Sequence, residues 1–205
     1  LELDIEKTGE YFPDNDYVAR LNSARAGVYH SLQITQCNEI YIPYYQCPTV
    51  NSFLSKKGVE IHKYFLNKAF EPQLDGQVER SAVLLVNYFG IFSNVFFKNI
   101  LKEFQNVIID NGPAFYNPPI EGCFNVYSAR KFFGVPDGCY VVGPNAIDLT
   151  NEYLLDYSAS TAGFLFQRYE IGCNASYQER MRNEERIDNS DILRMSYLTR
   201  ALLGG

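Results

Sequence analysis

The stretch "AVLLVNYFGIFSNVFFKNILKEFQNVIID", residues 82 to 110, reads as strand, helix, strand. Its two ends, "AVLLV" (82 to 86) and "NVIID" (106 to 110), are short apolar runs of the kind that lie buried in a parallel sheet. Between them, "SNVFFKNILKEF" opens on Ser93, a residue suited to capping a helix. It then repeats apolar side chains at Phe96, Phe97, Ile100, Leu101 and Phe104, the spacing of a crossover helix. Working outward, "EIYIP" (39 to 43), "VEIHKYFL" (59 to 66), "FNVYS" (124 to 128) and "CYVVG" (139 to 143) read as further strands. "NSARAGVYHSLQ" (22 to 33) reads as a helix with Ser23 at its N-cap, whose first turn has the N–H groups to hold an anion. The pattern predicts an α/β fold, a mostly parallel mixed sheet flanked by helices.

Beyond residue 145 the texture changes. "LTNEYLLDYSASTAGFLFQRYE" (149 to 170), "ASYQERMRNEERI" (175 to 187) and "NSDILRMSYLTRALLGG" (189 to 205) have helical spacing and no strand-like runs. The last of them offers Ile192, Met195 and Leu202 for one apolar stripe and ends on Gly204 and Gly205. The division expected is a large domain over residues 1–145 and connecting helices over 146–205.

Composition bounds the function. With 16 Tyr, 15 Phe and no Trp among 205 residues, the chain has the apolar mass for one sizeable core. A net charge of -6 without long like-charge blocks speaks against nucleic acid or an anionic membrane as partner. No apolar run approaches the roughly 20 residues that span a bilayer, and "LELDIEKTGE" is acidic rather than leader-like. The five cysteines (37, 47, 123, 139 and 173) form no C-x-x-C and the chain has two histidines, so no metal site is expected and a reduced, cytoplasmic setting fits. His30, on a helical stretch, and His62, within a strand, read as structural.

In an open α/β sheet, ligands gather beyond the carboxyl ends of the strands, and polar residues stand at those ends here: Asn87, Asp110 and Ser128, with Lys131 three residues further on. An acid ending one strand and a lysine just past another suit pyridoxal phosphate. The carboxylate keeps the pyridine nitrogen protonated, so that the ring draws electrons, and the lysine amine condenses with the aldehyde.

The ordered segments "NSARAG" (22 to 27), "IPYYQCPTV" (42 to 50), "VNYFG" (86 to 90), "IIDNGPAF" (108 to 115) and "YSARKFFGVPDG" (127 to 138) resemble the DegT/DnrJ/EryC1/StrS aminotransferases, sugar transaminases of pyridoxal phosphate fold type I. The resemblance covers roughly residues 20 to 143, and its last two motifs carry most of the specificity. It implies Lys131 as the Schiff-base lysine and Asp110 as the partner of the pyridinium nitrogen. It implies a phosphate held by Ser128 and by the helix start at Ser23, Ala24 and Arg25, with Asn87 reaching the ring hydroxyl.

Two positions depart from the family pattern: Pro113 stands where many relatives carry Gln or His, and Cys47 where a ring-stacking residue is expected, leaving Tyr44 or Tyr45 to stack instead. The resemblance implies a large domain whose smaller C-terminal companion is missing or truncated. It also implies an aminotransferase that moves an amino group from a donor such as glutamate to a nucleotide-linked keto sugar, working as a homodimer in which "YFGIFSNVFF" (88 to 97) supplies buried surface. The alternative is a non-catalytic or regulatory module that binds the cofactor without turnover. A dinucleotide-binding domain ranks lower, because no G-x-G-x-x-G follows a strand.

Overall fold

The computed structural model of the chain describes residues 9–13, 15–74 and 81–205. Most of the acidic segment "LELDIEKTGE" lies outside them. The strands are β1 (Val18–Leu21), β2 (Glu39–Pro43), β3 (Glu60–Leu66), β4 (Pro72–Gln73), β5 (Ser81–Val86), β6 (Val107–Asp110), β7 (Phe124–Ser128) and β8 (Cys139–Val142). They form one sheet in the order β1-β8-β7-β6-β5-β2-β3-β4. The pairs β7/β6, β6/β5, β5/β2 and β2/β3 are parallel, while β8 runs antiparallel to both β1 and β7, and β4 antiparallel to β3. The mostly parallel mixed sheet expected from the apolar runs is therefore present.

The helices are α1 (Ala24–Thr35), α2 (Pro48–Lys56), α3 (Asn94–Glu103), α4 (Gly163–Glu170), α5 (Gly172–Ala175), α6 (Tyr177–Asp188) and α7 (Tyr197–Leu203). Strand β5 shows how the layers are specified. All six of its residues are buried. Ala82 and Leu84 pack with Ala26, Val28 and Leu32 of α1 and Val50 and Leu54 of α2, whereas Val83 and Leu85 pack with Phe97 and Ile100 of α3. Successive side chains leave opposite faces of a strand, so an uninterrupted apolar run requires a helical layer on each side. Helix α1 lies so close to the sheet that a Cβ at Gly27 would come within 2.9 Å of Cys139 Sγ. A third cluster joins Phe12, Phe115, Tyr127 and Tyr140 to Met195.

Ser23 and Ser93 both cap their helices, accepting from the N–H groups of Ala26 and Phe96. The C-terminal region departs from expectation in two places. In 149 to 170 the continuous helix begins only at Gly163. Before it, Leu155 bridges to Arg194, and the buried Asp156 carboxylate is held by Arg186 and accepts from the Tyr157 N–H, an arrangement that competes with helical pairing. The final helix begins only at Tyr197, where Ser196 caps it, so Ile192 and Met195 precede it and share no stripe with Leu202. Met195 is buried in the third cluster, and Leu202 is exposed. Among the described residues no helix is long and apolar enough to cross a membrane, and no group of three or more His, Cys, Asp and Glu could hold a metal. The five cysteines are free.

Candidate active site

The parallel arrangement brings the carboxyl ends of β2, β5, β6 and β7 to one edge of the sheet, and the end of β1 joins them because Leu21 and Ser128 both pair with Cys139. A cavity of about 500 Å³ opens at this edge, and Ser23, Ala24, Arg25, Asp110, Ser128 and Lys131 all line it. Three segments separated along the sequence, 23–25, 110 and 128–131, thus contribute to one concave surface, the place where an open α/β sheet offers a ligand site.

Each wall has a local cause. Ser23 is extended, with φ -153° and ψ 156°, which turns the chain from β1 into α1 and leaves the first N–H groups of that helix at the cavity. Asp110 ends β6, and its carboxylate accepts from the Gly112 N–H at 2.8 Å. Ser128 ends β7, and the single helical turn Ala129–Lys131, closed by the Phe132 N–H donating to Ala129 O at 3.0 Å, carries Lys131 over the edge, while the Ala129 N–H donates to Gly138 O at 3.1 Å. Burial raises the Asp110 carboxyl above its ordinary value, while the Lys131 ammonium and the Gly112 N–H oppose that rise. Gly112 is what lets the two groups approach: a Cβ there would lie 2.7 Å from an Asp110 oxygen and 3.2 Å from Lys131 Nζ.

Arg25 is buried, and only its Nη1 is paired, to Asp188 at 2.6 Å; its Nε and Nη2 are buried without a partner. Arg130 repeats the arrangement, with Nη2 3.1 Å from Glu184 and Nε and Nη1 unpartnered. Unsatisfied buried guanidinium N–H groups are costly in an interior and are what an anion would satisfy. The carboxylates come from α6, which the sequence marked only as a helix.

Two expected residues do not line the cavity. Asn87 is buried and donates through Nδ2 to Asn111 Oδ1 at 2.8 Å. The Tyr45 ring stacks on Tyr88, with centroids 5.6 Å apart, and Tyr88 donates its hydroxyl to the Tyr45 carbonyl, which fixes that residue away from the cavity lining. Tyr44 stacks on Phe65 instead, at 4.5 Å. Cys47 does line the cavity, its Sγ 3.1 Å from Thr49 Oγ1, so the stacking position is filled by a small side chain. Arg130, Arg168, Arg180, Glu184 and Asp188 also line the cavity and had not been singled out from the sequence. His30 is buried away from it, between Ala146 O and the Tyr153 hydroxyl.

No family model and no curated protein sequence matches the chain. Solved structures do. The sugar aminotransferase CalS13 from Micromonospora echinospora is similar over 70% of this chain and 47% of its own, at 16% identity and a TM-score of 0.54. BacF from Bacillus subtilis is similar over 86% and 57%, at 16% identity and 0.55. YbdL from Escherichia coli, described with a methionine aminotransferase function, is similar over 95% and 50%, at 16% identity and 0.53. The chain spans about half the length of these relatives. At such identities the likeness concerns architecture: the eight-stranded mixed sheet and its helical layers share the fold of these three structures.

Proposed function

We propose that the chain forms the cofactor-binding part of a pyridoxal phosphate-dependent aminotransferase of the DegT/DnrJ/EryC1/StrS type. The observation that carries the reading is the approach of Lys131 and Asp110 over Gly112 inside a cavity that also holds Ser23, Ala24, Arg25 and Ser128. These residues fit the cofactor. A partly buried carboxylate, a lysine and unpartnered buried guanidinium N–H groups correspond to the three things it presents: a ring nitrogen, an aldehyde and a phosphate.

When bound, pyridoxal phosphate supplies an aldehyde that takes up an amino group and a ring that accepts the electrons released at the neighbouring carbon. The Ser23 and Ser128 hydroxyls, the first N–H groups of α1 and Arg25 hold the phosphate. Asp110 holds a proton at the ring nitrogen, and once that cation is bound, charge pairing overrides the burial that raises the carboxyl in its absence. Lys131 Nζ, freed by an incoming amine, carries a proton from the substrate's α-carbon to the carbon that receives it. In this reading residues 1–145 bind the cofactor, 146–205 connect and cover the cavity, the donor is an amino acid such as glutamate and the acceptor a nucleotide-linked keto sugar. The chain works as a homodimer in the cytoplasm.

The test is borohydride reduction of the chain mixed with pyridoxal phosphate, followed by peptide mapping. The pyridoxyl group is expected on Lys131. Labelling at Lys98 or Lys102, or none, would overturn the reading. Labelling at Lys131 without conversion of any amino donor to its keto acid, by the complete gene product, would instead support the non-catalytic module.

A further inference from the structure

Helix α6 presents one line of side chains to the cavity: Arg180, Glu184 and Asp188, four residues apart. At 1.5 Å per residue these stand roughly 6 Å apart along the axis, so the line covers about 12 Å. Its inner end is fixed by Asp188 on Arg25, beside the start of α1, and its middle by Glu184 on Arg130, the neighbour of Lys131. Arg180 therefore lies one helical turn beyond the level of Arg130. Arg168 of α4 lines the same cavity.

The two arginine pairs differ in one respect. Arg25 and Arg130 each hold a carboxylate of α6, whereas Arg168 and Arg180 have no ion-pair partner among the described residues and are exposed. Charge points the same way. The chain carries a net charge of -6, yet five of its 18 cationic side chains (Arg25, Arg130, Lys131, Arg168 and Arg180) line this one cavity, against three carboxylates, Asp110, Glu184 and Asp188. A cleft lined with an excess of one sign raises the local concentration of the opposite ion.

We propose that Arg168 and Arg180 form a second anion subsite in the outer part of the cavity, which holds a phosphate or carboxylate that the substrate carries away from its reacting carbon. This rests on the aminotransferase reading of the cavity and deepens it. A guanidinium binds either anion through paired N–H groups. The source is therefore the side-chain carboxylate of a dicarboxylic amino donor or the diphosphate of a nucleotide-linked acceptor.

Calorimetric titration of the chain, with and without pyridoxal phosphate, against glutarate and against inorganic pyrophosphate separates these sources. At least one anion should bind, with a dissociation constant that rises about tenfold or more in the Arg168→Gln/Arg180→Gln double variant and recovers in part in Arg168→Lys/Arg180→Lys. Cofactor content and melting temperature should be unchanged, since both side chains are exposed. Pyrophosphate binding alone assigns the subsite to the acceptor, glutarate alone to the donor, and both to either dianion. Equal affinity in wild type and the Gln variant, or binding of neither anion, would overturn the proposal. Failure of Lys131 to take up pyridoxal phosphate would count against the aminotransferase reading and leave the comparison without cofactor to decide the subsite.

Discussion

Lys131 and Asp110 reach over the same glycine: Lys131 Nζ lies 3.2 Å, and an Asp110 oxygen 2.7 Å, from the point where a Cβ on Gly112 would stand. A methyl group at that point displaces the carboxylate, which also accepts the Gly112 N–H. Gly112→Ala is expected to weaken pyridoxal phosphate binding about tenfold, which corresponds to roughly 1.4 kcal/mol, within the usual cost of overpacking. Absorbance titration with the cofactor checks it; an unchanged affinity would show that the two groups do not act on the ligand together.

Asp110→Asn removes the negative charge while keeping shape and the acceptor for Gly112. Lys131 should still be labelled by borohydride. The half-reaction with an amino donor, measured on the complete gene product, should slow on the order of 100-fold or more, because the charge serves the transition state rather than binding. A rate within a few-fold of wild type would contradict the role given to Asp110.

Asp137, in the turn that follows Lys131, is fully buried and accepts from the Ser196 N–H at 2.8 Å, from the Ser196 hydroxyl at 2.6 Å and from the Thr199 hydroxyl. Ser196 also caps α7. Ser196→Ala should therefore cost about 2–3 kcal/mol, a lost cap plus a lost bond to a buried carboxylate. The control Ser52→Ala, at an exposed helical site, should stay within about 0.5 kcal/mol of wild type. Urea denaturation of both variants decides the point.

His30 donates from Nε2 to Ala146 O at 2.7 Å, which leaves Nδ1 to accept the Tyr153 hydroxyl at 3.0 Å, the neutral form of the ring. Burial lowers its pKa below the ordinary 6.5. The unfolded chain then binds the extra proton first, so His30 favours the fold above about pH 6.5 and that contribution is lost as the pH falls toward the lowered value. Unfolding free energies at pH 7.5, 6.5 and 5.5 should fall more steeply with acidification in wild type than in His30→Gln, by up to about 1.4 kcal/mol per pH unit. Parallel slopes would place the acid sensitivity elsewhere.

Phe89 is 71% exposed and Tyr45 63%, and both belong to the aromatic surface around the ends of β2 and β5. Large exposed aromatics in one region favour association. Light scattering is expected to give twice the mass of one chain, and Phe89→Glu to shift it toward the monomer. A monomer over a wide concentration range would defeat the homodimer.

The parts of this molecule that were legible in its sequence are those with a local cause. Six strands announced themselves by apolar and β-forming side chains, and Ser23 and Ser93 as caps, because strand burial and a free helical N–H leave marks within a few residues. Strand β1, "VARL", did not, since Arg20 interrupts it and is matched by Glu10 at 2.6 Å, a pairing no periodicity encodes. Helix α2 had a usable sign, Pro48 at its start followed by buried Val50, Phe53 and Leu54. The arginine-carboxylate pairs of the cavity join residues 163 and 54 positions apart, and nothing local distinguishes Glu184 or Asp188 from the other acids of α6. Asn87 and Tyr45 stood at the right strand ends, but where their side chains go was decided by neighbours, Asn111 and Tyr88, that the linear pattern does not contain.

The chain running from Leu193 to Met195 lies along the outer side of β1, where the Asn22 N–H donates to Leu193 O and the Met195 N–H to Arg20 O, and Arg194 in turn bonds to Leu154 and Asp156. Two backbone groups at this edge, the Arg20 carbonyl and the Asn22 N–H, are thus already taken, and the segment that takes them is only a few residues long. At the other side, the outermost described strand is β4, two residues with a proline that has no N–H to offer. A sheet edge covered as β1 is here resists strand-by-strand growth into fibrils, the hazard that accompanies eight strands of such apolar composition. Changes that loosen the 193–195 segment and bare the β1 edge should therefore show first as aggregation, before any loss of the cavity.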